Sequence, residues 1–233
     1  MKAKKILALL ISGVFATTMA SQGAVTIIPS GLNSGDQYRL VFVTSTTTTA
    51  TSTDISTYNT FVNNLAITAG LDTIAGTVEG STTWTAIGST LTVDAIDNTS
   101  TTGAGTGIGI YLLNDTAIAT SYADLWDSSL LTTPDVTEQG NAIGNDGFTT
   151  WTGTGGNGLK TNSELGDTDL NVAYGQQYNT TDRWMRRLEK SSSIDGHLYA
   201  MSGVLTVAAV PEPSSTALLG LGALTLALRR RRA

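Results

Sequence analysis

The sequence predicts an α+β domain in which the first and last strands pair, one main helix packs against them, and a loop-rich β middle lies between. Three observations predict it. The two segments densest in β-branched and aromatic residues, 36–45 (DQYRLVFVTS) and 197–207 (HLYAMSGVLTV), stand at opposite ends of the body. A single stretch carries a clear apolar repeat at helical spacing. The remainder is rich in Thr and Gly and poor in Lys, which favours strands and turns over long helices. Pairing the two apolar strands buries both and closes the domain, with the middle layered above.

The chain ends are separate devices. Met1 to Ala20 begins with Lys2, Lys4 and Lys5, continues through the apolar run Ile6 to Ala16, read as a signal helix, and reaches small residues at Thr18 and Ala20, so that cleavage falls after Ala20 or after Ala24 in the small-residue cluster Ser21 to Ala24. That is the layout of a cleavable secretory signal peptide, placed at 1–24, with signal peptidase as the expected partner and export across the inner membrane as the consequence. At the other end, Val210 to Ser214 is a stiff Pro-containing step, Thr216 to Leu228 an apolar helix-forming run, and Arg229, Arg230, Arg231 and Arg232 a positive block. The thirteen residues of that run cover roughly 20 Å, short of the ~30 Å hydrocarbon core, so it suits a transient membrane anchor better than a permanent one. The arginines hold the end in the cytoplasm and leave the Pro-Glu-Pro step at the outer face. This order of elements resembles the PEP-CTERM sorting signal of Gram-negative bacteria. The resemblance assigns residues 210–233 to that signal, with Pro211, Glu212 and Pro213 as its motif and an exosortase as processing partner.

Residues 25–209 form the exported body, one domain by length. The 13 Lys and Arg of the chain include three in the leader and four in the tail, so the body keeps six against 18 acids, a net charge of −12. Such a surface cannot neutralise a phosphate backbone, and nucleic acid is excluded as a partner. The chain has no cysteine and one histidine, which removes disulfides, thiolate catalysis, Cys-ligated zinc and a multi-histidine metal site.

Within the body, 36–45 reads as a buried strand, followed by a Thr-rich loop at 46–53. Ile55, Tyr58, Val62, Leu65 and Ala69 then repeat at helical spacing, with Asp54 or Thr53 able to cap the start and Gly70 to stop it. Short strands are expected at 84–87, 110–113, 149–152 and 197–207. The alternating Gly103, Gly105, Gly107 and Gly109 mark turns, not a phosphate loop, because no helix opening or Lys-Ser/Thr pair follows. Asp195 and Gly196 read as a hairpin-type turn before the last strand. The motif order FVTS, TWTAIGST, IYLLNDTAI with YADLWD, TWTGTGGNG, LG, Trp184 and LYAMS resembles a bacterial surface family of unassigned function and, more distantly, the endostatin-like domains of collagens. Both imply a C-type-lectin-like architecture. No Glu-Pro-Asn or Gln-Pro-Asp sugar motif is present, so calcium-dependent sugar binding is not implied.

Candidate chemistry is sparse. His197 follows Asp195 too closely for a Ser-His-Asp relay, and no G-x-S-x-G, S-x-x-K or HExxH signature occurs. No catalytic residue is assigned. Asp146, Glu164, Asp167 and Asp169 are the densest acidic group and the candidate calcium ligands, since hard cations take about six to eight oxygens. EF-hand spacing is absent, and an acidic composition generates such groups by itself. Arg183, Trp184, Arg186, Arg187 and Lys190 gather four of the body's six basic residues, a candidate polyanion site with an indole for sugar stacking. The structural alternative places Trp184 and Met185 in the core and pairs the arginines with acids. Trp84, Trp126 and Trp151 are expected in the core. These features predict an exported envelope or extracellular-matrix protein, non-enzymatic, with a binding or structural role beside exopolysaccharide. A secreted polysaccharide hydrolase is the alternative.

Overall fold

A computed structural model describes residues 27–144, 149–168 and 171–209. The leader and the sorting tail, with the helix expected in each, lie outside the described residues, among which no helix is long and apolar enough to cross a membrane. The chain runs β1 (Gln37–Val43), α1 (Ile55–Thr68), β2 (Trp84–Ala86), α2 (Ala95–Asn98), β3 (Ile108–Leu112), β4 (Ala117–Ala119), α3 (Tyr122–Leu125), β5 (Thr150–Trp151), β6 (Asn171–Gly175), β7 (Leu188–Ser191), β8 (His197–Ser202) and β9 (Leu205–Thr206). It is a mixed α+β fold with one main helix and a nine-stranded mixed sheet.

The strand order is β4-β3-β1-β8-β5-β6-β7, with β2 beside β8 and β9 beside β1. The first and last strands pair as expected. Val41, Phe42 and Val43 face Met201, Ala200 and Tyr199 in antiparallel register, and Gln37 and Tyr38 face Thr206 and Leu205. The expected strand 197–207 is interrupted at Gly203 and Val204, and its register on β1 slips there by one residue. At the slip the Ser202 hydroxyl accepts the Leu40 amide at 2.9 Å, so the bulge leaves no orphan donor. β1 also pairs β3 in parallel, and every residue after Gln37 is buried, on both faces of the strand, which is why it reads as an apolar run broken only by Arg39.

Helix α1 forms where its repeat places it. Asp54 caps it by accepting the Ser56 amide at 2.9 Å. Its buried stripe centres on Tyr58, Val62 and Ala66, with Leu65 at the margin and Ile55 and Ala69 packed partly against the core. The polar side of that stripe holds β2. Asn63 Oδ1 accepts the Trp84 amide at 3.0 Å and Asn59 Oδ1 accepts the Ala86 amide at 2.9 Å. Trp84 completes the joint, its indole donating to the Leu71 carbonyl and its ring 4.8 Å from Phe42.

Two sequence expectations change. Asp195 and Gly196 do not turn a hairpin: β7 pairs β6, and the chain crosses to the sheet centre, where Gly196 exchanges two backbone bonds with Thr48. The reason is that β5 and β6 stand between β7 and β8. Strands β4, β6 and β7 and helices α2 and α3 were not expected. β7 is an exposed edge strand with sequence LEKS, and charged residues protect such edges without leaving an apolar pattern to read.

Candidate functional site

The basic segment folds around Trp184. Thr181 opens a single 3-10 turn, Asp182–Trp184, and the Trp184 indole enters the core, 6.1 Å from the Trp126 ring and 5.5 Å from Tyr199. Gly175 makes this approach possible, because a Cβ there would collide with the Trp184 carbonyl oxygen. Trp184 and Met185 are fully buried, which corrects the candidate role of Trp184 as a sugar platform and agrees with the alternative that places both in the core: tertiary stacking takes the indole away from the arginines beside it in sequence. Arg183, Arg186 and Arg187 remain exposed. Arg186 meets Glu189 at 3.1 Å, both side chains well solvated. Lys190 is half-buried, donating to Thr149 Oγ1 at 2.9 Å and standing 4.9 Å from the Tyr174 ring centre. The exposed cationic surface of this segment is therefore three arginines, one of them paired.

The acidic group is not assembled among the described residues. Asp146 and Asp169 lie outside them, and no cluster of three or more His, Asp or Glu there could hold a metal. Other acids serve local structure. Asp94 accepts the Lys160 amide at 2.7 Å, Asp124 the Thr120 amide at 2.6 Å, and Asp127 the Ser129 amide at 2.9 Å. Glu138, which the sequence did not single out, is 1% exposed and accepts from the Ser45 amide, the Ser45 hydroxyl and the Gln139 amide. His197 is a core residue, its Nδ1 2.6 Å from the Thr44 carbonyl oxygen. Trp84, Trp126 and Trp151 are buried as expected.

One charged residue that sequence reading passed over stands apart. Arg39 lies in β1 at 5% exposure. Its Nη1 donates to the Thr99 carbonyl at 2.5 Å and to the Met201 sulfur at 3.2 Å, and its guanidinium carbon is 5.2 Å from the Tyr122 ring centre. Burial lowers its pKa, an effect that Tyr122 opposes. Arg39 lines a cleft of about 140 Å³ with Thr83, Thr85, Asn98, Ser100 and Ser202. The signal in the sequence was an arginine inside an otherwise apolar strand.

Local structure fixes the rim of this cleft. Asn98 ends α2, donating to the Ala86 carbonyl at 2.7 Å and to Asn59 Oδ1 at 2.9 Å. Ser100 donates to the Asp97 carbonyl and Thr101 to the Ile96 carbonyl, which closes α2 with a Schellman turn. Ser100 takes the left-handed position of that turn at φ 53°, where glycine is usual. Tyr122 reaches Arg39 because Gly105, at φ 54°, has no Cβ to strike its ring. A second cleft, of about 290 Å³, lies at the β3–β4 edge, lined by Asp36, Gln37, Gly109, Tyr111 and Thr120 among others.

Against known families, residues 209–232 match the PEP-CTERM protein-sorting motif. No curated protein matches the chain. The motif marks an exported protein that is sorted and processed by an exosortase and associated with the cell surface. It covers the tail only.

Proposed function

We propose that this chain is an exosortase-processed envelope or extracellular-matrix protein whose body is a non-enzymatic binding or structural module associated with exopolysaccharide, of C-type-lectin-like architecture. The sorting motif at 209–232 carries the reading. The paired terminal strands beneath a loop-rich layer are consistent with the architecture. Arg183, Arg186 and Arg187 supply an exposed positive segment on a body of net charge −12. An acidic polymer is drawn to that segment and repelled elsewhere.

The test is retention of the chain on immobilised polygalacturonate. Retention should fall as salt rises, because the Debye length shrinks from ~10 Å at 0.1 M to ~3 Å at 1 M. The double variant Arg186→Ala, Arg187→Ala should lose most of the salt-sensitive part. Retention unchanged by either salt or the double variant removes the arginine segment as a polymer contact.

A further inference from the structure

We propose that the cleft over Arg39 binds the carboxylate of an acidic sugar, a uronic acid held by its charged edge. The proposal takes its ligand class from the exopolysaccharide reading above and adds the site. A guanidinium in a central strand is expensive to bury unless an opposite charge or a full set of acceptors compensates it. Here compensation is partial. The contacts of Arg39 are a carbonyl, a thioether and Tyr122, which offers both its ring and a side-chain hydrogen bond, all uncharged partners. Its Nε is buried without a partner. Although the body carries 18 acids, the ion pair among the described residues is elsewhere, at Arg186–Glu189. The missing counter-charge is what a bound anion supplies.

The lining selects the kind of anion. Thr83, Thr85 and Ser100 line the cleft beside Arg39 with short hydroxyls, which both donate and accept and so match sugar hydroxyls better than an alkyl chain; the Ser202 hydroxyl there is already taken by the Leu40 amide and the Gly203 carbonyl. A single guanidinium matches one negative charge, and a planar carboxylate suits its fork. A phosphate dianion would bring a second charge onto a body already at −12. About 140 Å³ holds a carboxylate and the ring edge that bears it. Ser100 is the rim residue placed at backbone cost, since its left-handed φ of 53° favours glycine.

Titration of the full chain with sodium glucuronate, with glucose as the neutral counterpart, tests this by calorimetry and thermal melting. Glucuronate should bind at least about tenfold more tightly than glucose and raise the melting temperature, because a charge-assisted bond is at stake. A buried guanidinium is poorly screened, so this binding should change little between 0.1 and 0.5 M salt, unlike polymer retention at the exposed arginines. Arg39→Gln should abolish the glucuronate preference and melt no lower than the parent without ligand, since it removes an uncompensated charge. Ser100→Gly, which relieves the left-handed position and keeps the fold, should weaken glucuronate while melting no lower. Oligogalacturonate separates a polymer end from a free sugar: tighter binding than glucuronate assigns the polymer as the source, equal binding the free acid. If the parent does not distinguish glucuronate from glucose, or Arg39→Gln binds glucuronate as the parent does, Arg39 is a structural strut. A chain that reaches the surface without that preference removes this site and leaves the surface reading standing.

Discussion

Gly175 and Trp184 form a contact in which one missing Cβ decides where an indole goes. With the Trp184 carbonyl packed onto the glycine, Gly175→Ala must displace either β6 or the 3-10 turn, and it should cost about 3 kcal/mol or more in denaturant unfolding. Arg186→Ala with Arg187→Ala should stay within about 0.5 kcal/mol of the parent, because both are exposed and the Arg186–Glu189 pair is solvated. Asp135 supplies a pH test. Partial burial raises its carboxyl above the usual range, so the charged form is disfavoured in the fold. Its ionisation then subtracts stability above the folded pKa, and the loss is relieved as pH falls through that value. Asp135→Asn should therefore raise the melting temperature at pH 7 and give no advantage below the ordinary carboxylate range. At this scale the sequence was only partly legible. The position of Trp184 among arginines looked like a binding surface because its stacking on Trp126 and Tyr199 joins residues distant in the chain. Arg39 was passed over, although an arginine inside an apolar strand is a signal in the sequence, and the absence of a carboxylate beside it could not be read there.

Helix α1 was readable because one periodic stripe, one cap and one stopping glycine agree locally. What the stripe could not reveal is the work of its polar flank. Asn59 accepts the Ala86 amide and pairs with Asn98, so it ties α1, α2 and β2 together at the rim of the Arg39 cleft. Asn59→Leu should leave the Ala86 amide unpaired and cost about 1–3 kcal/mol, read from urea unfolding. Loss of nothing measurable would mean that another acceptor or water replaces the amide. β9 has a comparable tie, since Glu79 accepts both the amide and hydroxyl of Thr206 at 2.8 Å. The middle of the chain resisted reading because its strands are two to five residues long and draw their stability from neighbours, not from pattern. The Asp195–Gly196 turn misled for the same reason: turn chemistry fixes a local bend but not which strands flank it.

Across the whole molecule, the closing of the sheet by chain-distant strands is the feature that the sequence conveyed best, because two apolar segments in a Thr- and Gly-rich body have few other places to be buried. Amide exchange should accordingly be slowest in 38–44 and 198–206, where β1 pairs with β8 and β9. Rapid exchange in either would contradict the paired base. The tail belongs to the same scale, since it decides where the folded body ends up. Removing Arg229 to Arg232 should leave the precursor uncut or misplaced, because the charge that keeps its end cytoplasmic is gone. The most direct test of the account is the mass and location of the chain in isogenic cells with and without the exosortase gene. The sorting motif predicts a body at the cell surface that lacks the apolar run and arginine block when the exosortase is present, and a full-length membrane-held precursor when it is absent. An identical mass at the surface of both strains would contradict it.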